Sequence, residues 1–251
     1  MKLTIIGSGS VKGAPVYGCN CKVCCRARSF KGYSRAASSA LIEVGGFRLL
    51  LDAGLSNLCE RFPAGQIAHV LLTHYHMDHV QGLFNLRWGE GLSIHVLGPD
   101  DPGGCYDLFK HPGILDFSRK TFPFEAFDLG PLRITPLPMN HSKLTHGYFI
   151  EHGSKRMAYL TDTCGLQEKV TTFLRKRHSD LAIIDCSMPP QEIPPSNHND
   201  LTQALEIHNS IKPKRTLLTH IGHTMDTWLD DHTTELPKKV IVAEDGMSLT
   251  L

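Results

Sequence analysis

Short apolar runs, each closed by a glycine, a proline or a charged residue, recur from one end of the chain to the other. Residues 3–6, 40–44, 47–52, 70–73, 93–97, 133–138, 147–151, 156–160, 181–185 and 216–219 have the length and composition of strands, and a final pair ends at Thr250. Gly45-Gly46 joins two of these runs with the two-residue link of a tight hairpin. Helical character falls between the strands: a short basic piece after Cys25, then residues 56–61, 104–111, 166–176 and 200–211, the second of these stopped by Pro112-Gly113. Clustered strands with intervening helices predict an α/β fold of two sheets packed face to face with helices outside. A chain of 251 residues can close this as one domain, and a single domain over 1–251 is the expectation.

Polar residues of one kind gather where the apolar runs end. Directly after Val70-Leu71-Leu72-Thr73 comes His74-Tyr75-His76-Met77-Asp78-His79, four metal-ligand types in six positions. Extended backbone sends alternate side chains to one side, so His74 and His76 can converge on one ion while Asp78 and His79, where the chain turns, face a second. His141 follows Leu137-Pro138, Asp162 follows Tyr159-Leu160-Thr161, and His220 follows Leu217-Leu218-Thr219. A single strand-end histidine or aspartate is ordinarily a satisfied polar residue; seven in one pattern are not. Imidazole and carboxylate donors suit Zn, Mn or Fe, and two such ions about 3.5–4 Å apart can activate a water and clamp both oxygens of a phosphoester.

A second cluster, Cys19-x-Cys21-x-x-Cys24, puts three thiols on one short loop, and His223 supplies a candidate fourth ligand for a closed Cys₃His zinc. The glycine-rich loop Gly7-Ser8-Gly9-Ser10-Val11-Lys12-Gly13 is spaced G-x-G-x-x-x-G with Pro15 close behind, which argues against a dinucleotide fingerprint. With 26 Lys+Arg against 25 Asp+Glu the formal charge is +1, no footprint for non-specific nucleic-acid or membrane binding. No apolar run approaches the ~20 residues that span a bilayer, and the start of the chain lacks the apolar stretch of a secretory signal. The expected location is cytoplasmic, where eight cysteines are ligands or buried thiols rather than disulfides.

His74-x-His76-x-Asp78-His79, followed in order by His141, Asp162 and His220, resembles the dinuclear hydrolases of the metallo-β-lactamase superfamily. The resemblance implies an αββα sandwich of two mixed sheets. It implies that His74, His76 and His141 hold one ion, Asp78, His79 and His220 the other, and that Asp162 bridges them. A flavin-linked di-iron branch carries Glu at the His76 position, which argues against redox chemistry here. The Cys19, Cys21, Cys24 and His223 set, the run Leu108-Phe109-Lys110-His111-Pro112-Gly113, and Ser196-Asn197-His198-Asn199-Asp200-Leu201 narrow the resemblance. They are similar to the cyclic phosphodiesterases of the carbon–phosphorus lyase pathway. That family implies hydrolysis of 5-phosphoribosyl 1,2-cyclic phosphate to ribose 1,5-bisphosphate. It also implies two Mn²⁺ (or Zn²⁺) in the dinuclear site, one structural Zn²⁺, His198 and Asp78 as the catalytic pair, and a homodimer.

From the residues alone, His198 suits proton transfer near neutral pH, with Asn197 or Asp200 available to fix its tautomer. A 5-phosphate needs cationic or amide donors, for which Arg87, Lys110 and Lys143 are candidates that spacing does not separate. A tRNA 3′-processing nuclease shares the seven ligands, but residues 142–161 leave little room for a tRNA-gripping arm, and a charge of +1 fits tRNA poorly. A relative of pyrroloquinoline quinone synthesis carries a similar Cys loop, and a non-catalytic metal-binding protein is the remaining alternative.

Overall fold

The computed structural model describes residues 1–232 and 236–251. Its strands are β1 (Lys2–Gly7), β2 (Ser39–Val44), β3 (Phe47–Leu51), β4 (His69–Leu71), β5 (Ile94–Pro99), β6 (Leu115–Asp116), β7 (Lys120–Thr121), β8 (Phe127–Leu129), β9 (Leu132–Pro138), β10 (His146–His152), β11 (Lys155–Leu160), β12 (Leu181–Asp185), β13 (Arg215–Thr219), β14 (Val240–Val242) and β15 (Ser248–Thr250). One sheet runs β15-β1-β2-β3-β4-β5-β6, with β7 also paired to β5; the other runs β14-β13-β12-β11-β10-β9-β8.

Each sheet is antiparallel on one side and parallel on the other. From β15 to β3 the neighbours are antiparallel, and from β3 through β5 they are parallel. In the second sheet β8 to β11 are antiparallel and β11 to β14 parallel. Parallel strands are covered on both faces, which is why 181–184 is apolar at every position and wholly buried. Gly45 and Gly46 both take positive φ, 52° and 88°, the backbone that the β2–β3 hairpin link demands of residues without a Cβ.

The helices are α1 (Lys22–Ser29), α2 (Leu58–Arg61), α3 (Met77–Val80), α4 (Leu83–Leu86), α5 (Tyr106–Lys110), α6 (Glu168–Arg177), α7 (Leu201–Ile211) and α8 (His223–His232). Three apolar layers follow. Leu49, Leu51, Leu71, Ile134, Tyr148, Tyr159 and Ile183 pack between the sheets. Leu50, Val70, Leu72 and Val96 pack under Leu58, Leu83 and Leu108 of α2, α4 and α5 on one outer face. Phe149, Leu160, Ile184 and Leu218 pack under Val170, Leu174, Ala204, Ile207 and Leu229 on the other. This is the αββα sandwich. Among the described residues no helix is long and apolar enough to cross a membrane.

Beyond the short elements α4, β6, β7 and β8, which the apolar pattern does not announce, sequence and structure part at the chain's end, at α8 and after β4. The final pair of strands is not a pair: β14 joins β13 while β15 crosses to β1, so the chain's end stitches both sheets. Helix α8 is unannounced because Met225 and Leu229 are the apolar residues it buries, too few to set a visible period. Strand β4 stops at Leu71, so His74 and His76 lie on the irregular segment beyond it rather than on a strand end, and Asp78 and His79 sit inside α3.

Candidate metal centre

The ligand-type residues come from the segments that follow strands of both sheets, the rim where layered α/β folds place their sites. The segment after β4 supplies His74 and His76 and runs into α3. His76 is in extended backbone at the N-terminal boundary of α3 (φ −68°, ψ 154°), and Asp78 and His79 occupy the helical turn behind it. The second sheet supplies His141 after β9, Asp162 after β11 and His220 after β13.

All seven converge. His74 Nε2 lies 2.9 Å from His76 Nδ1, and His141 Nε2 lies 3.1 Å from the same atom. His220 Nε2 lies 3.4 Å from Asp78 Oδ2, which lies 3.7 Å from His79 Nε2. Asp162 spans the two groups: Oδ2 is 3.2 Å from His79, and Oδ1 is 3.9 Å from His74 and His141 and 3.4 Å from His220.

Hydrogen bonds behind the rings decide which nitrogen each presents. Thr73 Oγ1 donates to Asp52 Oδ1 at 3.0 Å, so its oxygen accepts from His74 Nδ1, also at 3.0 Å. His79 Nδ1 donates to Asp52 Oδ2 at 3.0 Å, and His141 Nδ1 to the Asn197 carbonyl at 2.9 Å. Ser187 Oγ donates to the His220 carbonyl and accepts from His220 Nδ1 at 2.9 Å. Four imidazoles therefore commit their Nδ1 proton outward and turn Nε2 inward, the arrangement of a metal-ligating histidine with its supporting acceptor.

The donor set fits cations. His79 Nε2 and Asp162 Oδ2 are buried and without a hydrogen-bond partner, although they lie 3.2 Å apart. With a neutral ring these would be two facing acceptors; burial opposes a charged His79, but Asp162 and Asp52 outweigh it and raise its pKa well above the ordinary value, so the position calls for a positive charge that a proton or a metal ion can supply. Burial lowers the pKa of His74, His76 and His141, the last to about 4, keeping them in the neutral form that binds metal. Burial works against the Asp78 carboxylate, but His220 and His79 outweigh it and hold its pKa down at about 2.

His198 sits beside this centre, not among solvated loop residues. Its ring stacks on His220 at 4.8 Å between centroids, and Nδ1 donates to Asp185 Oδ2 at 3.1 Å. The residue that fixes its tautomer is thus Asp185, at the end of β12. Asn197 instead serves His141, and Asp200 caps α7 in a capping box with Gln203. Burial disfavours a charged His198, yet the bond and charge of Asp185, with Asp162 and Asp78 behind it, leave its pKa raised. Nε2 has no protein partner among the described residues and is the nitrogen that can exchange a proton.

Sequence reasoning passed over Asp52 and Asp185 as site residues, though both end an apolar strand run as Asp162 does. Asp52, Asp162 and His220 share a backbone feature that sequence does not display: each has φ near +55°, a left-handed conformation in which Asp and His are tolerated better than most residues.

The four residues of the second cluster also meet. Cys21 Sγ and Cys19 Sγ lie 3.2 and 3.6 Å from His223 Nε2, and the ligand atoms of Cys19, Cys21, Cys24 and His223 are all within 4.8 Å of one another. The backbone N–H of Cys24 and the His223 ring draw the Cys21 thiol down to about 6, while burial pushes Cys24 up to about 11. A cation among them would supply the charge that a third thiolate needs. The loop Ile221-Gly222 joins the clusters, with His220 in one and His223 in the other.

A profile of the beta-lactamase superfamily domain matches residues 47–221, and the chain belongs to that family. More particularly, it is similar to a crystal structure of a diphosphatase from the PhnP family, at 26% identity and a TM-score of 0.81 over 99% of this chain and 96% of that one. The probable metallo-hydrolase YhfI of Bacillus subtilis is 26% identical across 89% of this chain and 88% of its own length. An octanoyltransferase of Porphyromonas gingivalis is 28% identical across 98% of this chain, which spans only 51% of that relative.

Proposed function

We propose that the protein is a metal-dependent phosphodiesterase that opens 5-phosphoribosyl 1,2-cyclic phosphate to ribose 1,5-bisphosphate. One observation carries this reading: a seven-residue centre with buried, inward-facing acceptors, with an Asp185–His198 pair aimed at it and a Cys₃His cluster one loop away. In that reading Cys19, Cys21, Cys24 and His223 hold a structural zinc. His74, His76, His141, Asp162, Asp78, His79 and His220 hold two divalent ions, manganese or zinc.

Such ions, when bound, lower the pKa of water and offset phosphate charge. The chain's own part is positional. Thr73, Asp52, Asn197 and Ser187 lock the ligand rings, so the centre is formed before substrate arrives. As water adds to phosphorus and the ester P–O bond breaks, the departing sugar oxygen takes the Nε2 proton of the His198 imidazolium, which Asp185 orients and stabilises through Nδ1–H.

Assaying the metal-loaded protein on the cyclic phosphate, a linear phosphodiester, a dinucleoside diphosphate and a pre-tRNA tests this directly. Preference for the cyclic ester, with ribose 1,5-bisphosphate as product, is expected. Preference for the P–O–P bond would favour the reading suggested by the PhnP-family diphosphatase, and pre-tRNA cleavage the nuclease. Turnover of none with both ion sites filled would leave a non-catalytic metal protein. The segment between His141 and Asp162 is taken up by β10, β11 and their turn, which leaves no arm there for a folded RNA.

A further inference from the structure

Four of the eight cysteines fall between residues 19 and 25. Three of them, with His223, make up the Cys₃His cluster; Cys25 is the fourth and lies outside the ligand set. It follows Cys24 near the start of α1, and the helix turns the two side chains apart. Cys24 is buried, and its sulfur accepts from the Val16 N–H at 3.3 Å, whereas Cys25 is exposed.

The Cys25 thiol is nonetheless fixed against the cluster's own loop. Its N–H donates to the Cys21 carbonyl at 2.9 Å, and its thiol donates to the Asn20 carbonyl at 3.4 Å, in the stretch between Cys19 and Cys21. Arg28 clamps the arrangement: Nη2 donates to the Cys19 carbonyl at 2.7 Å, to Asn20 Oδ1 at 3.1 Å and to Cys25 Sγ at 3.5 Å. Cys19 and Cys21 are half-buried. An accessible thiol held beside less accessible ones is the arrangement of a sensing cysteine with its resolving partner. Cys59, the other exposed cysteine, lies on α2 and serves as the comparison.

We propose that Cys25 is an oxidation site that controls the cluster: peroxide attacks it first, and a disulfide from Cys25 to Cys19 or Cys21 then removes one ligand from the metal. In the first step Cys25 and H₂O₂ give a sulfenic acid and water. In the second, the Cys19 or Cys21 sulfur attacks the Cys25 sulfur; the S–S bond forms, the S–O bond breaks, and the departing hydroxide takes up the proton of the attacking thiol. Two thiols have then given two electrons to one peroxide, and a dithiol reductant reverses the change. With two thiols and one imidazole left, the four-ligand site no longer closes around zinc. The inference rests on the zinc reading of the cluster and is independent of the phosphodiesterase reading.

Protein equilibrated in manganese, so that zinc remains only where it is tightly held, is treated with a small molar excess of hydrogen peroxide. Zinc release to a chromogenic chelator and disulfide mapping by mass spectrometry are the readouts. The parent should release its cluster zinc, gain a disulfide that contains Cys25, and recover the original state on addition of dithiothreitol and zinc. Cys25→Ser should hold zinc as the parent does before treatment and release it about tenfold more slowly, because the oxidant must then reach sulfurs that are buried or half-buried. Cys59→Ser should follow the parent. Equal release rates in the parent and Cys25→Ser, or mapped disulfides without Cys25, overturn the proposal. If the untreated protein holds no zinc, the Cys₃His assignment falls; a Cys25 disulfide mapped in that peroxide-treated chain still supports the oxidation site, and its lack overturns it.

Discussion

Single hydrogen bonds decide which face each ring shows to the centre. His198 is the clearest case, because its partner Asp185 is buried and also accepts from Asn199 Nδ2 at 2.6 Å. If Nε2 protonates the leaving oxygen, His198→Ala should slow cleavage of an alkyl ester about a hundredfold, within the usual range for general acid catalysis. The same variant should lose much less on a nitrophenyl ester, whose oxygen leaves without a proton. Equal losses on both substrates would exclude the role. Asp185→Asn should shift both rates in the same direction by less, since the ring survives but the charge that favours its protonated form is gone. His76→Ala should abolish hydrolysis while leaving the circular dichroism spectrum unchanged; retained turnover would refute a two-ion centre.

Short elements do most of the aiming. The stretch after β3 is sewn to α3: Ala53 N–H donates to the His79 carbonyl at 2.8 Å, Gly82 N–H to the Ala53 carbonyl at 2.9 Å, and Gln81 Nε2 to the Gly54 carbonyl. Gly54 is there because a Cβ would stand 2.1 Å from the Asp78 carbonyl oxygen. Gly54→Ala must push α3 away, so metal content and activity should fall together while the sheets persist, checked by elemental analysis beside the far-ultraviolet spectrum. Asp200 caps α7 and also accepts from Gln191 N–H at 2.9 Å. Removing it as Asp200→Ala should cost about 1–2 kcal/mol, a fall of about 2–8 °C in melting temperature for a chain of this size. Elements like these explain how far the sequence could be read. The two-sheet architecture was legible because β2, β3, β11 and β12 are strongly apolar, and the ligands because they end or follow such runs. The helix α3, one turn long, and β6 and β7, two residues each, carry no periodic signal. The supporting role of Asp52 was hidden because it depends on a histidine twenty-seven positions away in sequence and a left-handed backbone.

At the scale of the molecule, the Cys cluster anchors an N-terminal segment with few apolar contacts of its own. Ala14, Val23 and Ala27 form a small separate core, and α1 meets α8 through Lys22 and Arg26 against Asp230, at 2.5 and 2.6 Å, on a surface where ion pairs contribute little. Cys21→Ser should therefore lose one tightly held ion and several degrees of melting temperature before the chemistry changes; a folded variant with its full zinc would show the cluster to be no metal site. The proposed two-ion centre has a broader consequence. Its candidate ligands are split between the two sheets, His74 to His79 on one and His141, Asp162 and His220 on the other, so ions bound there would act as a reversible crosslink across the sandwich. A ligand that binds only the folded chain adds about 2.7 kcal/mol at a hundred times its dissociation constant, or roughly 5–11 °C for a chain of this size. Heat denaturation in graded metal buffers should trace a straight line against the logarithm of free metal, and the protein's own melting point would then serve as a gauge of how full its centre is.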